Sequence, residues 1–326
     1  MKKVVITGGA GFLGKRVAAA LLDRGTLEGS RGAEPFDQIV LVDMVEAEGF
    51  SDPRIRSVAG DISDAGLLHD VIDGDVTSIF HLAAVVSGQA EADFDLGMRV
   101  NFDATRLLLE RLRHLGSGPR LVMTSSVAVF GGELPAIVPD HQVWAPQSSY
   151  GTQKAMADLL VSDYARKGFV DGRSVRLPTI VVRPGKPNLA ASSFASGIIR
   201  EPLHGEEAIC PVAPDTTLWL MSPRKVVMNL LHAHDLPPER IGKRRVINLP
   251  GLSIRVSDMI AALERVAGTG VTGRIRMQRD PKVEQIVNSW PGNFSADHAK
   301  SLGFVADTDF TDIVRAFIED EGLTIA

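Results

Sequence analysis

Tyr150-Gly-Thr-Gln-Lys154 places a phenol and an amine four residues apart, on one face of the helix that the pattern predicts over 149–167. A cation close to a phenol stabilises the phenolate and lowers its pKa toward working pH, giving a base able to take a proton from an alcohol. Ser126 lies two dozen residues upstream, just after the apolar run Leu121-Val122-Met123. Its hydroxyl would hold the substrate oxygen as charge develops on it. Alone, Tyr-x-x-x-Lys is common on solvated helix faces, so a second cluster is needed. Thr7-Gly8-Gly9-Ala10-Gly11-Phe12-Leu13-Gly14 supplies it, between the apolar run Val4-Val5-Ile6 and a helical pattern over 12–24. In that setting Gly8 gives the turn, Gly11 lets backbone approach a pyrophosphate, and Gly14 lets helix and strand pack closely. The N–H groups of the helix start attract phosphates. Phe12 and Leu13 complete the candidate dinucleotide loop.

Asp43 closes a second apolar run, Ile39–Val42, where a carboxylate accepts hydrogen bonds from ribose hydroxyls and repels a 2′-phosphate. This favours NAD over NADP. The distance from the glycine loop exceeds the usual twenty residues or so, and the glycine-rich stretch 25–36 reads as a surface insertion that accounts for it. Lys15 and Arg16 point the other way, toward a phosphate, unless they are solvated on the first helix.

The elements that must position these groups alternate along the first half of the chain. Apolar runs at 4–6, 39–42, 55–59, 79–82 and 121–123 read as strands buried on both faces, with a sixth around 175–183. Helical patterns fall near 64–72, over a long stretch 91–115, and over 149–167. The expected fold is α/β, a doubly wound parallel sheet of Rossmann type over 1–183. Eight prolines between 184 and 238 break the remainder into short elements, with helices near 223–234, 257–267 and 309–319. Residues 184–326 read as a smaller, irregular substrate-binding lobe, partly interleaved with the sheet.

With these residues in place, the sequence resembles the extended short-chain dehydrogenase/reductases, near their nucleotide-sugar epimerase/dehydratase branch. The resemblance is carried by TGGAGFLG, Asp43, Gly60-Asp61-Ile62, His81-Leu82-Ala83-Ala84, Asn101 in RVNFDATRLLL, and Ser126 with Tyr150-x-x-x-Lys154. It implies bound NAD, with Asp61 and Ile62 at the adenine, and Leu82, Ala83, Ala84 and Asn101 along the cofactor channel. It also implies that Lys154 grips the nicotinamide ribose, and that the chain forms a homodimer through the helices at 91–115 and 149–167. His81 reads better as a packed strand-end histidine than as a catalytic group. The family's dehydratases carry Asp-Glu after the catalytic hydroxyl; Val127 and Ala128 stand there instead, which argues against water elimination. The epimerases' asparagine and aromatic-Gly-Pro turn after the sixth strand are replaced by Arg183-Pro-Gly-Lys-Pro-Asn188. That segment is most similar to members that oxidise C2 of D-erythronate, a four-carbon sugar acid.

The expected activity is therefore NAD-dependent oxidation of a short sugar acid at C2. Tyr150 is the base, Lys154 tunes it, Ser126 orients the oxygen, and Arg183 or Lys186 holds the carboxylate. A nucleotide-sugar 4-epimerase with tightly held NAD is the alternative, and a non-enzymatic dinucleotide sensor a second. Composition fits a soluble, cytoplasmic protein. Apolar residues are 44% and charged residues 23%, with net charge −5 and no basic field to draw nucleic acid. The start Met1-Lys2-Lys3 reads as the edge of a strand rather than a secretion signal, and no run approaches membrane-spanning length. The lone Cys210 reads as a small buried hydrophobe, and His232 with His234 as helix residues facing different directions rather than a metal site. The basic stretch 240–245 reads as solvated, and Trp144, Trp219 and Trp290 as packing the lobe or lidding the pocket.

Overall fold

The computed structural model describes residues 1–29, 32–187 and 190–324. Its centre is a seven-stranded sheet, with all neighbouring pairs parallel. The strands are β1 (Lys3–Thr7), β2 (Gln38–Asp43), β3 (Ile55–Ala59), β4 (Val76–His81), β5 (Arg120–Ser126), β6 (Asp171–Leu177) and β7 (Val246–Asn248). In space they run β7-β6-β5-β4-β1-β2-β3. The order reverses between β1 and β4, and a ligand crevice is expected beyond the carboxyl ends of the strands there. Thr7 lies level with Val42 and His81, so the glycine turn opens directly into that crevice.

Successive side chains of β1 face opposite ways. Val4 and Ile6 enter one apolar core with Val17 and Leu21, from helix α1 (Phe12–Arg24). Val5 enters the other, with Leu68 of α2 (Ala65–Val71), Leu108 and Leu112 of α3 (Ala104–Leu115) and Val161 of α4 (Ser149–Arg166). These strands read as apolar runs because both faces are covered.

The insertion at 25–36 forms a hairpin, Thr26–Gly29 against Gly32–Pro35; it is anchored by buried Leu27 and Phe36, and Ser30 and Arg31 lie outside the described residues. The long helix expected over 91–115 is four pieces: Ser87–Ala92, Phe94–Gly97, a π-helical turn Met98–Asp103, and α3. Asp93 makes the first break, leaving helical backbone geometry and capping the Leu96 N–H at 2.9 Å. The strand expected at 175–183 runs earlier, over 171–177. Pro178 has no N–H to continue the ladder, and Thr179–Ile180 pairs instead with Thr217–Met221 in a separate three-stranded sheet.

After residue 183 come α5 (Ser193–Leu203), α6 (Pro223–Asp235), α7 (Val256–Ala267) and α8 (Phe310–Asp320). Helices α5, α7 and α8 build a core of their own, but α6 packs into the α1 core, and β7 completes the central sheet. The basic stretch at 240–245 is not simply solvated, because β7 follows it at once. Arg245 pairs with Asp171 at 2.9 Å, beside Arg120 and Arg173. Cys210 is buried. His232 faces the Leu302 carbonyl at 2.9 Å, and His234 faces Ser78 Oγ at 2.8 Å.

Candidate active site

The glycine turn is compact enough to exclude side chains. Gly8 has φ +72°, and a Cβ on Gly14 would stand 2.2 Å from the Gly8 carbonyl oxygen. Gly11 caps α1 without a side-chain hydrogen bond, which leaves the helix-start N–H groups available to an anion. Asp43 Oδ2 accepts the Ala10 N–H at 3.0 Å, so the carboxylate that would read the ribose already touches the loop. Arg16 pairs with Asp320 at 2.7 Å, so it already has an acidic partner on this protein.

The other channel residues divide into two groups. Leu82 and Ala84 line the cavity below the turn, together with Phe12 and Leu13. Asp61, Ile62, Ala83 and Asn101 are not part of its wall. Asp61 accepts from the Ser63 hydroxyl at 2.6 Å and from Arg99 at 2.7 Å, and these contacts hold its carboxyl below the usual range, the Ser63 hydroxyl foremost. Ile62 is buried in the core, and the Ala83 N–H donates to Thr7 Oγ1 at 3.2 Å. Asn101, inside the π-helical turn, accepts the Val85 N–H at 2.8 Å and donates to the Val85 carbonyl and to Gln153 Oε1.

His81 is fully enclosed, and burial pulls its pKa down to about 3. Thr105 Oγ1 donates to the Asn101 carbonyl, so it accepts from Nε2–H of His81. Nδ1 then accepts the Thr7 hydroxyl. The neutral ring is satisfied on both sides and has no part to spare for chemistry. Among the described residues no group of three His, Cys, Asp or Glu side chains is placed to hold a metal, and no helix is long and apolar enough to cross a membrane.

Ser126, Tyr150, Lys154 and Arg183 meet in the wall of one cavity of about 190 Å³. Ser126 ends β5, its Oγ accepting the Ala128 N–H at 3.1 Å and lying close to the Tyr150 phenol. Ser148 caps α4 at the Gly151 N–H, and a Cβ on Gly151 would lie 2.1 Å from the Ala128 carbonyl oxygen. That glycine lets the start of α4, and so Tyr150, close against Ser126. Lys154 Nζ donates to the Thr124 carbonyl at 3.1 Å, and the side chain is 3% exposed.

The electrostatics differ from the expectation that Lys154 lowers the Tyr150 pKa. Burial pushes the phenol up to about 12; the nearby Ser126 hydroxyl and then the Arg183 charge work against it. The lysine is spent on the β5 carbonyl, and burial brings its own pKa down to about 8, opposed by Asp158.

Arg183 donates its backbone N–H to Ser196 Oγ at 3.0 Å, while its carbonyl accepts Arg200 Nη1 at 2.8 Å. Its own Nη2 is buried without a hydrogen-bond partner among the described residues. Burial, then the neighbouring Arg200 charge, lowers its pKa. Lys186 is exposed on the turn beyond it and is not part of the cavity wall; Asn188 lies outside the described residues.

One group that the sequence reading did not single out sits behind this wall. Asp158 accepts from Ser125 Oγ at 3.0 Å, from the Ser174 hydroxyl, and from Arg176 Nε at 2.8 Å. It follows Lys154 by one helical turn, and that spacing was the available signal. Trp290 joins the cavity from the far end of the chain.

These residues fit a dinucleotide. The cradle of Gly8 and Gly14 admits no Cβ, the start of α1 carries no side-chain cap, and a carboxylate stands at the end of β2. Comparisons with known proteins agree. The chain is 58% identical over 320 residues to a D-erythronate dehydrogenase of Cupriavidus necator, covering 98% of this chain and 99% of that protein. A D-erythronate dehydrogenase of Haemophilus influenzae is 46% identical over 318 residues, covering 97% and 99%. A solved structure described as the nucleoside-diphosphate-sugar epimerase from Agrobacterium tumefaciens superposes with a TM-score of 0.93 at 41% identity, covering 100% of this chain and 96% of that one. Residues 4–236 match the model of the NAD dependent epimerase/dehydratase family, and the chain belongs to that family.

Proposed function

We propose that this protein is an NAD-dependent dehydrogenase that oxidises the C2 hydroxyl of a short sugar acid, D-erythronate or a close analogue, to the 2-oxo acid. The observation that carries the reading is Arg183, a half-buried residue beside Tyr150 whose Nη2 is buried without a hydrogen-bond partner among the described residues. A carboxylate there would satisfy it through paired hydrogen bonds and fix C2 relative to the phenol. When bound, the nicotinamide ring supplies the hydride acceptor. Tyr150 takes the hydroxyl proton, and Ser126 holds the substrate oxygen while charge builds on it. Lys154, anchored on Thr124, would reach the nicotinamide ribose, and Asp43 the adenosine ribose.

The names of both D-erythronate dehydrogenases support this reading. The epimerase described for the Agrobacterium structure favours a nucleotide sugar instead. A cavity of about 190 Å³ lies below the roughly 300–1,000 Å³ usual for drug-sized ligands, however, and so favours a small acid. Exposed Phe94 and Leu159, on the segments expected to pair between subunits, support a homodimer, and a cytoplasmic location completes the proposal.

The test is a comparison of wild type with Arg183→Ala on D-erythronate with added NAD. Loss of a desolvated charge contact costs about 2–5 kcal/mol, so kcat/KM should fall roughly 30-fold or more. Arg183→Lys should recover little, because an ammonium lacks the planar fork. An uncharged four-carbon polyol, where turned over, should be affected far less. Unchanged D-erythronate kinetics in Arg183→Ala, or interconversion of nucleotide sugars without added NAD, would overturn the assignment.

A further inference from the structure

Trp290 stands in the walls of two cavities at once. One is the active-site cavity; the other, of about 500 Å³, is lined also by Leu134, Thr217, Ser253, Asn288 and Asn293. Among the described residues, Trp290 is the only one that lines both. Its main chain is fixed by the segment that follows and by the helix that precedes it. The Trp290 N–H donates to the Val287 carbonyl at 3.1 Å, Ser253 Oγ to the Gly292 carbonyl at 2.7 Å, and the Val138 N–H to the Asn293 carbonyl at 2.9 Å. A Cβ on Gly292 would lie 2.9 Å from the Thr217 carbonyl oxygen, so the stretch runs tight against strand Thr217–Met221. The indole itself is only partly buried, at the margin of the C-terminal core. A fixed backbone with a half-buried ring makes a partition whose removal leaves its support in place.

We propose that Trp290 sets the chain length of the acid the enzyme accepts, by closing the active-site cavity against its neighbour. The proposal rests on the sugar-acid reading above. With the carboxylate on Arg183 and the C2 hydroxyl on Tyr150, the remaining carbons must extend away from that pair, into about 190 Å³ shared with the nicotinamide end of the site. The adjoining cavity offers what a longer polyhydroxy chain needs, since Thr217, Ser253, Asn288 and Asn293 all carry hydrogen-bonding groups. Removing the indole joins the two spaces and admits the extra carbons.

The experiment measures kcat/KM of wild type, Trp290→Ala and Trp290→Leu on aldonates of four, five and six carbons, following NADH formation, with thermal melts to establish folding. The six-carbon to four-carbon ratio should rise about tenfold or more in Trp290→Ala, the size of effect that one or two carbons of pocket fit produce. Trp290→Leu should shift the ratio in the same direction by less, and it carries the test should Trp290→Ala fail to fold. A ratio unchanged in the folded variants overturns the proposal, and so does an equal loss on every acid. Wild-type protein inactive on all three acids overturns the sugar-acid reading first, and this proposal with it.

Discussion

Tyr150 and Lys154 are four residues apart, yet their surroundings push them in opposite directions, and each push has a measurable consequence. Burial raises the phenol to about 12, whereas proton abstraction from an alcohol needs the phenolate. Turnover in the oxidative direction should therefore climb with pH from 7 toward 10, by close to tenfold per unit while the phenolate remains the minor form. Tyr150→Phe should abolish that climb and cut kcat by about 10²–10⁴, with dinucleotide binding retained in a fluorescence titration. Near-normal turnover would remove Tyr150 as the base. Lys154 is held at about 8 against the ordinary lysine value of 10.5, so the unfolded chain binds more of its proton across that interval. Stability then rises with pH from 8 to 10.5, and below 8 the buried ammonium costs stability in full. Lys154→Met should melt a few degrees higher than wild type at pH 7, an advantage that narrows as pH passes 8 and vanishes near 10.5, while turnover is largely lost. A variant that melts lower at pH 7 would contradict the burial argument. Both residues were legible in the sequence because helical spacing alone brings them together. The partners of Arg183 were not, because Ser196 and Arg200 reach it from 13 and 17 residues away, on a helix that the sequence pattern did not reveal.

At the scale of elements, the dinucleotide loop is the best-determined piece, and its spacing leaves little freedom. A methyl group on Gly14 would meet the carbonyl oxygen of Gly8 at 2.2 Å and the Gly9 Cα at 2.8 Å. Both are backbone atoms of the turn itself, so neither can swing aside as a flexible side chain would. Gly14→Ala should lower NAD affinity by tenfold or more and cost about 1–3 kcal/mol of stability, read by isothermal titration and by melting. Unchanged affinity would show that the turn relaxes without disturbing the phosphate site. The loop was legible because its glycines are needed for backbone reasons that any sequence displays. The π-helical turn at Met98–Asp103 was not, since its residues continue a helical pattern on both sides. What distinguishes it is Asn101, whose side chain holds the backbone of Val85 at both N–H and carbonyl. The helix yields so that this amide can brace the end of β4 at the cavity. Edge strand β7 escaped notice for a simpler reason: three residues, Val246–Asn248, are too few to show a period.

Across the whole molecule, the two halves of the chain are joined more closely than a boundary at residue 183 suggests. Helix α6 lays Val226, Leu230 and Ala233 into the core formed by Val4, Ile6 and Val17, and β7 covers the outer side of β6. Polar groups depend on the same junction. Arg173 is fully buried in β6, and its Nη1 donates to the carbonyls of Ala233 at 2.7 Å and Leu236 at 2.8 Å. Arg120 donates to the His234 carbonyl at 2.8 Å, also on α6. Arg16 on α1 and Arg224 on α6 both pair with Asp320 near the end of α8. A fragment of residues 1–183 would keep the glycine loop and Asp43, proposed to hold the dinucleotide, together with Ser126, Tyr150 and Lys154. It would lose the apolar cover over one face of β1, expose β6 as an unprotected edge, and strip Arg173 Nη1 of its carbonyl partners while Arg120 kept only that of Glu28. Leaving buried polar groups unpaired costs about 1–3 kcal/mol each, before any apolar loss, against a total stability of about 5–15 kcal/mol. The fragment should therefore show no cooperative melting transition, and its circular dichroism and NAD titration should differ from those of the full chain. A fragment that melts in one sharp step and binds NAD with full-length affinity would mean that α6 and β7 dock onto a sheet already stable without them.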